Sequence, residues 1–123
     1  MSSRPILAPY SAITDGDMSA DIISSVSIIQ MISFISYTLV WTGTPTGTFS
    51  VEVSNDYKRS SAGVVLNAGT WVPLTLSAAT VASGAAGSGF IDIDGVAAYA
   101  IRLKYTATSG AGTLNAVVNG KVI

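Results

Sequence analysis

The sequence predicts an all-β protein: a single antiparallel β-sandwich, jelly-roll-like, with about seven or eight strands. Three observations lead to this fold class. Short segments alternate apolar and polar side chains with a period of two, the pattern of a strand that buries one face. Clusters of Gly, Pro, Asn and Asp separate these segments about every 8–12 residues. Helical spacing of apolar residues is absent from every window of about 11 residues.

The first segment, residues 1–20, is predicted to be an extended N-terminal arm, and residues 21–123 are predicted to form the sandwich domain. Pro5 and Pro9 remove two backbone donors and favour extended backbone before them. Asp15-Gly16-Asp17 is typical of a turn. We expect the arm to reach across a subunit boundary, so that its deletion leaves the domain folded and weakens assembly.

The predicted strands follow one another from residue 24 onwards. The clearest covers residues 48–54, where three apolar residues alternate with Ser, Glu and Ser. Pro73 confines a strand over residues 71–76 to an edge or a bulge, and the Ala, Ser and Gly of residues 77–89 predict a surface loop. In chain order the predicted strands are 25–28, 36–41, 48–54, 64–66, 71–76, 90–94, 99–106 and 114–119.

Composition excludes several classes of function. His and Cys are both absent, which removes the Ser-His-Asp arrangement, cysteine nucleophiles, thiolate metal sites and disulfides. We therefore predict that the protein is not an enzyme and uses no cofactor or metal. Charged residues make up 11% of the chain and the net charge is −1, so no electrostatic field favours nucleic acid as a partner.

The same composition indicates self-association. Hydrophobic residues reach 49%, and a surface poor in charge tends to associate when it is alone in solution. We expect neighbouring subunits to cover much of this surface. The alternative is a monomer whose surface consists of Ser, Thr and Gly.

Residues 22–41 carry no charge and are long enough to cross a bilayer, so a membrane-spanning segment is one interpretation of them. Ser and Thr interrupt them at short intervals, no basic cluster flanks them, and their β-branched content favours strands. We therefore expect no membrane partner. The N-terminus lacks the features of a secretory signal, which predicts synthesis in the cytoplasm without export.

Three aromatic residues are candidates for a ligand site or an interface. Trp41 ends an alternating apolar segment and Trp71 begins one, so an exposed indole could stack on a sugar. Packing in the core or between subunits is the other interpretation, since aromatic side chains dominate both. Tyr57 adjoins Lys58 and Arg59 in a polar segment with too few charges to predict nucleic-acid binding.

Two pairs of acidic residues are weaker candidates. Asp92 and Asp94 are two apart on a predicted strand and therefore share a face, as a metal site or a glycoside hydrolase could require. A solvated strand face beside a turn at Gly95 is the preferred interpretation, because no other acid lies nearby in the sequence. Asp15-Gly16-Asp17 resembles part of a calcium loop, but no further acid follows at the required spacing. We expect neither pair to be a site.

Two tracts carry a family resemblance. Residues 41–56 contain a Trp-x-Gly turn that leads into a strand ending in Ser-Asn, and residues 99–116 contain a strand with Tyr99, Arg102 and Tyr105 before a Ser-Gly-x-Gly hairpin. Together they resemble small β-sandwich structural proteins of tailed-bacteriophage virions. The resemblance implies a capsid decoration protein, a neck or tail component, or a short fibre. It carries no catalytic residues.

From this resemblance we expect a non-enzymatic protein located in the virion and made in the host cytoplasm. Its expected partners are copies of itself, as a homotrimer or larger, and other virion proteins. Similar turn and strand motifs occur in sugar-binding β-sandwich proteins of the galactose-binding type. A carbohydrate-binding or adhesive module is therefore the alternative, with a site formed by the segments 42–47, 55–61 and 77–89.

Overall fold

The computed structural model describes residues 6–76 and 80–122, and these contain twelve strands and no helix. All pairings between the strands are antiparallel, which confirms the predicted all-β class. The strands are, in chain order, β1 (Ile6–Asp17), β2 (Ile22–Ile23), β3 (Ser27–Ile28), β4 (Phe34–Gly43), β5 (Thr46–Ser54), β6 (Lys58–Arg59), β7 (Val65–Asn67), β8 (Val72–Pro73), β9 (Thr80–Ser83), β10 (Gly87–Asp94), β11 (Ala100–Ser109) and β12 (Gly112–Lys121).

The strands form two sheets and a separate ribbon. One sheet has four strands in the order β1-β12-β4-β10. The other has the order β2-β11-β5-β8, with β3 also paired to β11 and β9 also paired to β5. The hairpin of β6 and β7 pairs with neither sheet. The described residues therefore form a sandwich with one projecting ribbon.

The strand order is that of a jelly roll, the predicted architecture. When the ribbon is set aside, β2 with β3 and β8 with β9 count as two interrupted strands, so that eight strands remain. Numbered along the chain, these eight give the orders 1-8-3-6 and 2-7-4-5. Successive strands mostly cross from one sheet to the other, as in the double-sheet jelly rolls of viral capsid and lectin domains.

The core lies between the two sheets and consists of the apolar phase of the long strands. β4 buries Ile35, Tyr37, Leu39 and Trp41, while the residues between them are partly or fully exposed. Burying each such side chain contributes about 1.5–3 kcal/mol. The other long strands add Phe49, Val51, Ile91, Ile93, Ile101, Leu103, Tyr105, Leu114, Ala116 and Val118.

Residues 6–17 correct the prediction of an N-terminal arm. They form β1, which pairs with β12 of the same chain at the edge of the four-stranded sheet and buries Ala12 and Ile13. Pro9 lies at one register shift and Gly16 beside another. Pro9 and Gly16, two of the residues that suggested an irregular arm, therefore lie at bulges in an edge strand, where a missing backbone donor is tolerated. The first five residues lie outside the described part of the chain.

The small-residue stretch 77–89, predicted as a loop, is also corrected. It includes β9 and the start of β10, and residues 77–79 lie outside the described part. A Cβ added at Gly87 would lie 2.9 Å from Cζ2 of Trp41, closer than real Cβ atoms approach. Glycine at this position lets β10 approach the indole ring of Trp41. Composition alone does not distinguish a glycine that permits close strand packing from a glycine in a flexible loop.

Residues 22–41, long enough to cross a bilayer, form β2, β3 and most of β4. Within residues 6–76 and 80–122, no helix has the length and apolar character needed to span a membrane.

Candidate functional site

The structure places the candidate Trp41 in the core. Its ring is 5% exposed and lies 5.2 Å from the ring of Phe49, centroid to centroid. Its indole Nε1 donates a hydrogen bond of 3.0 Å to the carbonyl oxygen of Ala85. Almost none of the ring is free for a ligand, so Trp41 packs the sandwich and does not lie with the other two aromatic candidates.

Tyr57 and Trp71 do come together, on the outer face of the six-stranded sheet. Their ring centroids are 5.7 Å apart, with Tyr57 buried and Trp71 partly exposed. The Cζ atom of Arg102 lies 4.1 Å from the centroid of the Trp71 ring, a distance at which a cation is attracted to the ring face. Arg102 Nε and Nη2 each donate to Glu52 Oε1 at 2.8 Å. We name Glu52, Tyr57, Trp71 and Arg102 the aromatic–arginine cluster.

Residues 55–71 leave the six-stranded sheet after β5 and return to it at β8, and we name this segment the excursion. The aromatic–arginine cluster holds the base of the excursion. Asp56 also fixes the base through hydrogen bonds. Its carboxylate accepts hydrogen bonds from Thr70 N at 2.6 Å, from Thr70 Oγ1 at 2.9 Å and from Ser54 Oγ at 2.8 Å. These hydrogen bonds, the one from Thr70 N first, hold the pKa of Asp56 below its ordinary value. Trp71 Nε1 also donates to the carbonyl of Ala68 at 2.8 Å. The base of the excursion is therefore fixed.

The tip of the excursion is the β6–β7 ribbon, and it is apolar and exposed. Val64, Val65 and Leu66 are 60%, 53% and 59% exposed, although they are three consecutive apolar residues. Lys58 and Arg59, on the opposite strand of the ribbon, are exposed as well. The excursion thus has a fixed base and an exposed tip that is apolar and basic, and exposed apolar patches of this kind are typical of interaction sites.

A groove of about 840 Å³ lies beside the base of the excursion. The carboxylates of Asp56 and Asp94 line it together with Asn55. This volume falls in the range of small-ligand sites, which are mostly apolar with few polar groups. The apolar part of its lining consists of Val53, Val72, Leu74, Leu76, Ile93, Val96, Ala97 and Ala98.

The outer face of the four-stranded sheet carries a second exposed apolar patch, which the sequence analysis missed. Val117, Thr38 and Phe90 lie side by side across β12, β4 and β10. Phe90 is 62% exposed, and Val40, two residues beyond Thr38 on the same face, is 51% exposed. We name Val40, Phe90 and Val117 the sheet patch. The available signal was an apolar residue on the polar phase of an alternating strand.

The acidic candidates lie on the exposed surface. Asp92 and Asp94 are exposed along β10, as expected of a solvated face. Asp17 accepts hydrogen bonds from the side chain and backbone of Ser19, which lower its pKa. In the ranges 6–76 and 80–122 no three His, Cys, Asp or Glu residues are grouped as a metal ion would require.

Comparison with solved structures places the fold. The SPBc2 prophage-derived protein YomS aligns over 97% of this chain and 96% of its own, with a TM-score of 0.50 and 7% identity. A chain in the structure of infectious bursal disease virus, Gx strain, aligns over 98% of this chain with a TM-score of 0.54 and 12% identity. This chain spans about a third of that viral chain, 32%. At these identities the likeness establishes the sandwich fold.

The structural neighbours are thus a prophage-derived protein and part of a virus, in line with the resemblance noted in the sequence. The sequence matches no protein-family model, and no curated protein is significantly similar to it.

Proposed function

We propose that this protein is a non-enzymatic structural component of a virion, which binds copies of itself and neighbouring capsid or tail proteins. One observation carries the proposal: a jelly roll exposes two apolar surfaces, the ribbon tip and the sheet patch, on a chain with 11% charged residues. Exposed apolar patches mark interaction sites, and jelly rolls with such patches suit assembly into shells or tails.

The comparisons support this proposal through the fold. A prophage-derived protein shares the fold over nearly its whole length, and a chain of a virus structure contains it as about a third of its length. Capsid decoration, a neck or tail position, or a short fibre would each use the same exposed surfaces. The corresponding location is the virion.

The native mass of the purified protein across a concentration series tests the proposal. Sedimentation velocity or light scattering is expected to show a closed assembly of three or more copies. Mass spectrometry of purified phage particles would then detect the protein in a fixed ratio to the major shell protein. A monomer at every concentration, together with absence from purified particles, would refute the virion function.

A carbohydrate-binding module is the second candidate, and one observation favours it. Trp71 is partly exposed, and its neighbours Thr70 and Val72 line the groove. Arg102 covers one face of the ring, so a sugar would have to stack on the remaining area. A glycan array should then give a signal that Trp71→Ala removes and Phe90→Ala, on the other sheet, leaves unchanged. No signal from the parent protein would eliminate this function.

A further inference from the structure

The ribbon is prepared for a partner that the same molecule does not supply. Its base is fixed by Asp56, Thr70 and the aromatic–arginine cluster, so little order remains to be gained on binding. The excursion contains Lys58 and Arg59 beyond its Asp56 fastening. Neither cation forms a salt bridge with any residue among 6–76 and 80–122. The tip therefore offers apolar area together with two free positive charges.

The sheet patch has the complementary character. Asp92 and Asp94 continue along β10 from Phe90 at every second residue, so the two carboxylates border the patch on one strand. Both are exposed, and neither forms a salt bridge within the described part of the chain. Among residues 6–76 and 80–122, Lys121 is the one cation of this face, and it lies two strands away from Asp94. The patch therefore offers apolar area together with two negative charges.

These two surfaces belong to different sheets of the sandwich. The base of the ribbon packs on the outer face of the six-stranded sheet through Arg102, whereas Phe90 and Val40 point outward from the four-stranded sheet. Because the two surfaces lie on different sheets, contact between them would join the patch of one copy to the ribbon of another. Contact between two different surfaces of identical copies is heterologous, and repetition of it produces a ring or a filament.

We propose that the ribbon of one copy docks on the sheet patch of a second copy, with Lys58 and Arg59 beside Asp92 and Asp94. This inference rests on the proposed self-association and specifies which surfaces meet. Val64, Val65 and Leu66 would cover Phe90 and its apolar neighbours. Charge complementarity at the border would fix the orientation of the docked ribbon.

A charge-swap series tests the docking. One variant reverses the ribbon, Lys58→Glu with Arg59→Glu, a second reverses the sheet, Asp92→Lys with Asp94→Lys, and a third combines all four substitutions. Each reversal alone is expected to raise the dissociation constant of the assembly about 10-fold or more. The combined variant should return to within about 3-fold of the parent, because its opposite charges face each other again.

Asp17→Lys with Asp21→Lys is the matched control, since it changes the net charge as the sheet reversal does but acts on exposed residues at the end of β1 and before β2. It should associate like the parent protein. Circular dichroism of every variant checks the fold, and recovery in the combined variant shows that neither reversal acts by unfolding the protein.

The outcomes separate this inference from the proposed function. If the parent associates while both reversals associate equally well, or while the combined variant stays as weak as either reversal, the docking is refuted and the self-association stands. If the parent is a monomer at all concentrations, the self-association and the docking are both refuted.

Discussion

Among single residues, the buried aromatic side chains stabilise the sandwich through their rings. Tyr37 and Tyr105 are fully buried, and within residues 6–76 and 80–122 their hydroxyl groups have no hydrogen-bond partner. Burial raises the pKa of Tyr37 above its ordinary value, so the phenol stays protonated. Phe49 lies between Trp41 and Tyr105, with ring centroids 5.2 and 4.9 Å away. These rings contribute packing and no acid–base chemistry.

Trp41→Ala is expected to lower the free energy of unfolding by about 3–5 kcal/mol, because it leaves a cavity between the sheets and removes the hydrogen bond to Ala85. Urea unfolding followed by circular dichroism measures the loss. Phe90→Ala, at an exposed aromatic position, should change the free energy of unfolding by less than about 0.5 kcal/mol when the proteins are compared at a dilution where each is a monomer. A small change at Trp41 would show that the indole is not part of the core.

At the scale of elements, the excursion and the edge strand β1 differ in how they are held. The excursion is fastened by a few polar contacts at its base, around Asp56 and Trp71. β1 is held by a long ladder to β12 and by buried side chains. Local opening should therefore begin in the excursion, and loss of β1 should affect the whole sandwich.

Asp56→Asn should open the base of the excursion, because the amide replaces a carboxylate that accepts three hydrogen bonds. Trypsin cuts after Lys58 and Arg59, so the expected result is faster cleavage there, resolved by mass spectrometry. Asp21→Asn, at an exposed position before β2 and outside both proposed contact surfaces, is the matched control and should be cut at the parental rate. Equal rates in both variants would mean that Asp56 does not fasten the base.

The same fastening predicts a pH dependence. A carboxylate whose pKa is lowered in the folded state stabilises that state above its unfolded pKa, and the contribution is lost as the pH falls through the lowered value. Protection of the Thr70 amide against hydrogen exchange, expressed relative to the intrinsic rate at each pH, should therefore fall in acid in the parent protein. In Asp56→Asn, which has no carboxylate at this position, the protection should not change with pH.

Deletion of residues 1–17 should destabilise the domain by at least about 3 kcal/mol. It removes the β1 ladder and the buried Ala12 and Ile13. Thermal unfolding compares this variant with one that lacks only residues 1–5, which is expected to unfold like the parent. A truncated protein of full stability that assembles less well would instead support the original prediction of an arm.

At the scale of the whole molecule, the jelly roll combines a well-filled interior with a surface of few charges and two apolar patches. The interior makes the domain stable as one chain, whereas the surface favours contact with other chains. The proposed self-association would link folding and assembly by mass action, since association stabilises only the folded state.

This linkage predicts that the melting temperature rises with protein concentration. Calorimetry over a hundredfold concentration range measures the rise, and the ribbon reversal Lys58→Glu with Arg59→Glu should flatten it. A melting temperature that is independent of concentration would indicate that unfolding involves a monomer and would count against self-association.

Sequence patterning was sufficient for the fold class, most long strands and the edge position of Pro73, because each depends on side chains close together in the chain. It was also sufficient to exclude chemistry that needs His or Cys. It misassigned β1 and the segment that contains β9 and the start of β10. Pro9 and Gly16 lie at bulges of an edge strand, and Gly87 lets β10 approach Trp41.

Strand order decides which residues meet on the two surfaces. It brings Trp71 to Arg102, it groups Val40 with Phe90 and Val117, and it separates the two surfaces. Strand order brings together residues up to most of the chain length apart, as when β1 pairs with β12. Alternation fixes which side chains face inward, but it carries no information on which strands become neighbours. For that physical reason the fold class was predictable from the residues, while the surfaces proposed for assembly required the three-dimensional arrangement.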